Sequence, residues 1–149
     1  MHNAISPFLA SSAYHLCLLL VHSEVCTLQE AANELVPTHE WLHLSIGQEL
    51  SAALLSEPPK RRSRAARRWM ESRLSEMAPG PVLCTEIDLL FEPTLNLDPL
   101  RLLRHASRVT RLVITWPGSY SDNVLSYAAP EHDHYRTWRK PEVFIAVLE

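Results

Sequence analysis

The stretch that most constrains the fold is residues 15–35, HLCLLLVHSEVCTLQEAANEL. Residues 15–21 are apolar on both alternating faces, which is typical of a strand that helices cover on both sides of a sheet. Thr27 and Glu30 then match a capping box, which predicts a helix that ends before Pro37. The stretch therefore predicts a buried strand, a five-residue loop and a capped helix.

Strands and helices alternate along the rest of the chain. Apolar runs and helical spacing predict strands at 41–45, 111–116 and 143–148 and helices at 47–55 and 63–77. Residues 82–91 predict a buried strand that runs into a loop carrying acids. Asp98 and Pro99 predict the start of another helix, Pro117 and Gly118 a strand end, and Asp122-Asn123 a turn in an irregular stretch. This order predicts one α/β domain over residues 1–149, with a mostly parallel central sheet of about five strands flanked by helices.

Composition favours a cytoplasmic protein. The 149 residues, 46% hydrophobic, suffice for a single core. The apolar run at 16–21 is too short to cross a bilayer, and no Lys or Arg precedes Lys60, so a secretory signal would lack its basic start. The three cysteines are an odd number, and two lie in apolar runs, where a reduced thiol packs as a small hydrophobe. We expect no association with a membrane.

Charge is unevenly distributed. The net charge is −3, but residues 60–73 contain seven of the 14 basic residues and one acid, Glu71, so this segment carries +6 and the remainder −9. Such a segment is either a basic patch for DNA or an acidic partner, or a solvated helix face. The candidate binding residues are Lys60, Arg61, Arg62, Arg64, Arg67 and Arg68.

The loop at 22–26 follows the first predicted strand, where many nucleotide-binding proteins carry a phosphate loop. A working loop needs glycines, a lysine and a Ser or Thr, but this one has only Thr27 directly after it, and it contains Glu24. A like charge about 4 Å from phosphate costs roughly 4 kcal/mol at an effective dielectric near 20, whereas a helix end contributes about 0.3–1 kcal/mol. We therefore expect no cofactor, and ATP with Mg²⁺ is disfavoured.

Three further side chains follow later strands at positions typical of nucleotide sites. Glu86 and Asp88 follow the third strand, where an acid commonly holds Mg²⁺, and Thr115 ends the next strand, where hydrolases keep a polar sensor. Together with Thr27 they define a degenerate nucleotide site. In the alternative, Thr27 only caps its helix and the acids are structural.

No catalytic residue and no metal site is predicted. His132, Asp133 and His134, and His22 with Cys26, lack the spacing of a structural zinc site, and no Gly-x-Ser-x-Gly elbow occurs. The region 116–140 is rich in aromatic residues, which often anchor protein interfaces. We assign partner binding to Trp116, Tyr135 and Trp138; in the alternative, these rings close the protein's own core.

Residues 83–149 contain five short motifs. They are an LLFEP-like strand end, an LDPLRLL helix start, a strand ending in Trp-Pro-Gly, a Ser-Tyr-Ala run and a Pro-x-His-x-x-Tyr run, at 89–93, 97–103, 116–118, 126–128 and 130–135. Through these motifs the region resembles the small P-loop-containing protein of type 3 BREX phage-exclusion systems, the BrxF family. The resemblance implies a P-loop NTPase-like α/β domain that acts with other bacterial defence proteins. Typical members have a Gly-Lys loop and are described as predicted ATPases, and this chain departs from them at 22–27.

Three functions are therefore compatible with the sequence. The leading one is a non-hydrolysing P-loop-like subunit that binds other BREX defence proteins and self-associates as a homo-oligomer. The second is an ATPase whose site is completed by another segment or subunit, with Arg101, Arg104, Arg108 and Arg111 as the basic series that supplies a finger. The third is a DNA-binding accessory protein that uses the basic helix at 60–73.

Overall fold

A computed structural model describes residues 17–149, so the first two residues of the strand predicted at 15–21 lie outside the described part. This part forms four α-helices, three short 3₁₀ turns and seven strands. The helices are α1 (Val25–His39), α2 (Ile46–Leu54), α3 (Arg62–Glu76) and α4 (Pro99–Ala106). The strands are β1 (Cys17–His22), β2 (Leu42–Ser45), β3 (Val82–Thr85), β4 (Leu112–Ser121), β5 (Val124–Tyr127), β6 (Arg136–Arg139) and β7 (Phe144–Val147). The 3₁₀ turns are Pro59–Arg61, Ile87–Phe91 and Pro93–Leu95.

The central sheet has the order β2-β3-β4-β1-β7, and all of these neighbours pair in parallel. The second half of β4 leaves this sheet and pairs with β5, which pairs with β6, both antiparallel. The predicted α/β class and the mostly parallel sheet are confirmed, and the β5–β6 hairpin extends the sheet beyond the five predicted strands.

The apolar character of β1 on both faces is explained by two hydrophobic cores. Leu18 and Leu20 point to the core covered by α1, whereas Leu19 and Val21 point to the core covered by α2, α3 and α4. All four side chains are fully buried. Alternation along the strand therefore divides the molecule into an α1 side and an α3 side.

Helix α1 begins three residues earlier than the capping box predicts. Glu24 is the N-cap residue, and its carbonyl accepts from the amide of Leu28 at 3.3 Å, so Thr27 occupies the third helical position and caps nothing. The helix also continues through Pro37 to His39. A proline removes only its own amide bond, and here less than one turn of helix remains beyond it.

The third predicted strand ends at Thr85, and the segment that carries the acids begins at Glu86. Glu86 adopts the left-handed conformation, with φ 55° and ψ 51°, which turns the chain out of the sheet into the 3₁₀ turn Ile87–Phe91. The apolar residues Ile87, Leu90 and Phe91 remain buried from that turn. Burial alone therefore does not distinguish a strand from this turn.

The predicted stop at Pro117 and Gly118 is also wrong, because β4 runs through both residues to Ser121. The missing amide of Pro117 is tolerated where β4 leaves the parallel ladder, at the end of its pairing with β1. The stretch beyond is a hairpin closed by Asp122 and Asn123, whose φ angles are 51° and 61°. The predicted turn is thus present, between strands that were expected to be irregular.

Two helix predictions are confirmed. Ala66, Met70 and Leu74 of α3 are buried in one stripe, as the spacing indicates. At the start of α4, the carboxylate of Asp98 accepts from the amide of Arg101 at 3.2 Å.

Within residues 17–149, no helix is both long and apolar enough to cross a membrane.

Candidate nucleotide site and basic surface

The carboxyl ends of β1, β3 and β4 meet at one edge of the sheet, where open α/β sheets commonly bind ligands. A cavity at this edge, which we call the strand-end cavity, contains Glu86, Asp88 and Thr115. Its other lining residues are Val25, Leu28, Gln29, Thr85, Ile87 and Pro117. The structure thus brings together three of the four residues predicted for the nucleotide site.

Thr27 is the exception. Its position on α1 places it in a separate groove with Glu30, Glu34 and the C-terminal Glu149, which we call the acidic groove. Thr27 therefore does not line the strand-end cavity with Glu86, Asp88 and Thr115.

The strand-end cavity is small. Its volume is about 50 Å³. Pockets that bind drug-sized ligands have volumes of about 300–1,000 Å³. The cavity is small because the chain passes from β1 to α1 through only Ser23 and Glu24, which leaves no loop to enclose phosphates.

The short β1–α1 connection also uses its own hydrogen-bonding groups. Nδ1 of His22 accepts from the amide of Glu24 at 2.9 Å, and the thiol of Cys26 donates to Oε2 of Glu24 at 3.8 Å. A phosphate loop would direct such amides at the ligand. Here one amide is occupied by an imidazole, and the adjacent carboxylate repels anions.

The polar groups that line the strand-end cavity are engaged within the chain. Glu86 accepts a short hydrogen bond from the hydroxyl of Ser45, and the hydroxyl of Thr115 donates to the carbonyl of Cys84 at 3.4 Å. The phenol of Tyr127 donates to Oδ1 of Asp88 at 2.5 Å. These contacts join neighbouring strands and the hairpin, so they have a structural role.

Tyr127 was not singled out from the sequence, although it orients Asp88. Its ring stacks on Phe91, with centroids 3.5 Å apart and planes 6° apart. Burial, the hydrogen bond to Asp88 and the charge of that carboxylate raise the pKa of Tyr127. The phenol therefore remains protonated and donates to Asp88. Only the aromatic character of the tract indicated a role, because no sequence spacing pairs residue 127 with residue 88.

The six basic residues predicted for binding do not act as one cluster. Four exposed residues, Lys60, Arg61, Arg64 and Arg68, line a groove of about 700 Å³ together with Trp69 and Glu57, which we call the first basic groove. Arg62 instead turns inward and donates from Nε to the carbonyl of Glu57 at 3.1 Å.

Arg67 lies on the other flank of α3. It lines a second groove of about 370 Å³ with Leu97, Asp98, Arg101, Leu102 and His105, which we call the second basic groove. The sequence did not link Arg67 to α4. The i, i+4 pair of Arg101 and His105 was the available signal, since such residues share one helix face.

The aromatic residues predicted for partner binding have different environments. Trp116 is fully buried, donates from Nε1 to the carbonyl of Ser126 at 2.9 Å, and contacts Phe91 and Trp138 edge-on. Because its ring has no exposed surface, the assignment of Trp116 to a partner interface is wrong. Trp138 is half-buried, whereas Tyr135 is 37% exposed.

Among the residues that the structure describes, no group of three or more His, Cys, Asp and Glu side chains is placed to hold a metal ion. His132 accepts at Nδ1 from the amide of His134 at 2.9 Å, so that segment forms a local turn.

Comparison with protein-family models, curated proteins and solved structures gave no match.

Proposed function

We propose that this chain is a P-loop-like subunit of a BREX phage-exclusion system that assembles with other defence proteins and does not hydrolyse ATP. The strand order supports the P-loop-like part of the proposal. Read as β7-β1-β4-β3-β2, it is the order of P-loop ATPases of the AAA kind, in which the strand before the phosphate loop lies second from one edge. Fold alone does not establish activity, which depends on the site.

The observation that carries the non-hydrolysing part is the β1–α1 connection. Two residues, Ser23 and Glu24, replace a phosphate loop, and the imidazole of His22 occupies the amide of Glu24. Adding phosphate would require breaking this hydrogen bond and accepting a carboxylate beside the anion. Unlike a missing side chain, a connection this short is not easily completed by a residue from another subunit.

The defence context rests on the resemblance at 83–149, whose segments pack against one another. The rings of Phe91, Trp116, Tyr127 and Trp138 form a chain of contacts with centroids 3.5–6.0 Å apart. These rings come from the LLFEP-like, Trp-Pro-Gly and Ser-Tyr-Ala segments and from β6. Segments that are separate in the sequence thus build one structural unit.

The competing function is an ATPase completed by a partner. It requires Glu86 or Asp88 to be charged, since either acid would hold Mg²⁺. The isosteric variants Glu86→Gln and Asp88→Asn remove the charge but retain an oxygen that accepts from Ser45 or Tyr127. They therefore separate a catalytic role of these acids from a structural one.

The test is phage plating on a host that carries the neighbouring defence genes, with this gene deleted and then restored as wild type or as the Glu86→Gln/Asp88→Asn variant. We expect deletion to abolish protection, and both restored forms to protect equally and to co-purify with the same partners. Loss of protection in a variant that still folds and co-purifies would favour the ATPase. Full protection after deletion would refute the role in defence.

A further inference from the structure

The first and second basic grooves flank the same helix, α3. We call the basic residues that line them, Lys60, Arg61, Arg64, Arg67, Arg68 and Arg101, the strip. On a helical projection, Arg64 and Arg68 lie near the solvent-facing ridge and Arg67 on the flank toward α4. Across the second groove, α4 contributes Arg101, and the His105 side chain lies one helical turn further along. The strip therefore extends beyond the 60–73 segment onto a helix that is distant in sequence.

These cations differ from the other arginines of the same helices because they are not neutralised internally. Arg73 of α3 contacts Glu49 at 3.0 Å and Glu76 at 3.5 Å, and Arg104 of α4 contacts Glu142 at 3.4 Å. Within residues 17–149, no carboxylate lies within 4 Å of the charged groups of Arg64, Arg67 or Arg101. The fold thus pairs the arginines at the edges and leaves the strip unpaired.

Few acids oppose the strip. Glu71 is exposed on α3, and Glu57 lines the first groove. In the second groove, the carboxylate of Asp98 accepts from the amide of Arg101 and from Nε1 of Trp138, each at 3.2 Å. The acidic groove lies with α1 on the opposite side of the sheet. The molecule is therefore electrostatically polarised, with its basic face on the α3 side.

We propose that the strip is a binding site for the phosphate backbone of nucleic acid, with both basic grooves contributing contacts. From Arg61 to Arg68 the helix rises about 10 Å. Duplex DNA carries one charge per about 1.7 Å of axis, so this length faces several phosphates. Arginine binds phosphate through a planar fork of donors, and Trp69 in the first groove adds an apolar surface beside the backbone.

The test measures binding of a fluorescein-labelled DNA duplex, and of one of its single strands, to the full chain across a salt series. Three pairs of substitutions are compared: Arg64→Gln/Arg68→Gln in the first groove, Arg67→Gln/Arg101→Gln in the second, and Arg139→Gln/Lys140→Gln as a control with equal charge loss. Arg139 is a suitable control because it alternates with Trp138 on β6 and so points away from α4.

We expect each groove pair to weaken binding about tenfold or more near 0.1 M salt and to reduce the slope of log K against log salt by about 2, while the control changes neither. Arg67→Lys/Arg101→Lys should retain most of the affinity, since the charges remain. The variants lie on exposed positions, and circular dichroism checks their fold.

Three results would overturn the inference. The first is wild-type protein that binds neither form of DNA. The second is unchanged DNA affinity and salt dependence in the Arg67→Gln/Arg101→Gln variant, as in the control variant. The third is stronger binding of poly-glutamate than of DNA, because the strip would then bind an acidic protein. Dissociation of a homo-oligomer in the groove variants would likewise show that the strip binds a second copy of the chain.

Discussion

Nδ1 of His22 accepts a 2.9 Å hydrogen bond from the amide of Glu24, at the position where a phosphate loop would offer that amide to a nucleotide. The imidazole thereby satisfies a donor that would otherwise remain free before α1. Together with the negative charge of Glu24, this contact makes the β1–α1 connection a structural turn. The connection contains no glycine and no lysine, the residues with which a phosphate loop binds its ligand.

The first prediction compares two aromatic residues of one tract. Trp116→Ala should lower the free energy of unfolding by about 3–5 kcal/mol, because it empties a fully buried site and leaves the carbonyl of Ser126 without its partner. Tyr135→Ala should lower it by clearly less than Trp116→Ala does, since Tyr135 is 37% exposed. Urea denaturation of both variants measures the difference.

The same samples test the predicted interface at Tyr135. Truncation of an aromatic side chain that anchors a partner typically weakens binding by about 2 kcal/mol or more, which is a roughly thirtyfold loss of affinity. We expect Tyr135→Ala to weaken pull-down of the proposed defence partners without lowering the melting temperature as Trp116→Ala does. Unchanged pull-down from a stable Tyr135→Ala protein would remove this ring from the interface.

The second prediction concerns Gly118, where β4 passes closest to β5. A Cβ at this position would lie 1.9 Å from the carbonyl oxygen of Ser126, which is an impossible contact between a side chain and backbone. Gly118→Ala should therefore separate β4 from β5 and lower the melting temperature strongly. Ser121→Ala, at an exposed position of the same strand, is the matched control. Equal stability of the two variants would show that the hairpin packs differently.

The third prediction is a pH dependence. Burial, partly offset by the charge of Arg104, raises the pKa of the Cys17 thiol to about 12. A thiol in the unfolded chain ionises near pH 9. Because the folded-state pKa is the higher one, Cys17 contributes its full stability below about pH 9 and loses it as the pH rises toward 12.

Because of this thiol, the free energy of unfolding should fall by up to about 1.4 kcal/mol for each pH unit as the pH rises above 9. Cys17→Ala should reduce that slope, although the variant will be less stable at neutral pH. Cys26→Ala is the control, since this thiol is exposed. Denaturant titrations at a series of pH values measure the free energy of unfolding of both variants. If its dependence on pH is the same in Cys17→Ala as in the wild type, the buried Cys17 thiol is not its cause.

The sequence predicts elements whose signals are local. The apolar runs of β1 and the Asp98 cap of α4 appear where expected, because burial and capping depend on adjacent residues. The start of α1 was mispredicted because the turn at His22 precedes the Thr27 signal and closes the first helical bond from Glu24. Pro117 was misjudged because its tolerance depends on where the β1 ladder ends, which is a property of the sheet.

Within the candidate site, proximity followed from topology but chemistry did not. Strand ends predicted that Glu86, Asp88 and Thr115 would meet. Tyr127 donates to Asp88 from 39 residues away. This contact forms only because the β4–β5 hairpin brings Tyr127 beside Asp88, and no local sequence pattern encodes it. The link between Arg67 and Arg101 across the second basic groove depends in the same way on the packing of α3 beside α4.

The central claim, that the strand-end cavity does not bind nucleotide, is tested most directly by isothermal titration calorimetry of the purified chain with ATP and Mg²⁺. We predict no saturable heat, corresponding to a Kd weaker than about 1 mM. The Glu86→Gln/Asp88→Asn variant should give the same trace. Micromolar binding by the wild type that this variant abolishes would contradict the account, because it would show a working nucleotide site at these two acids.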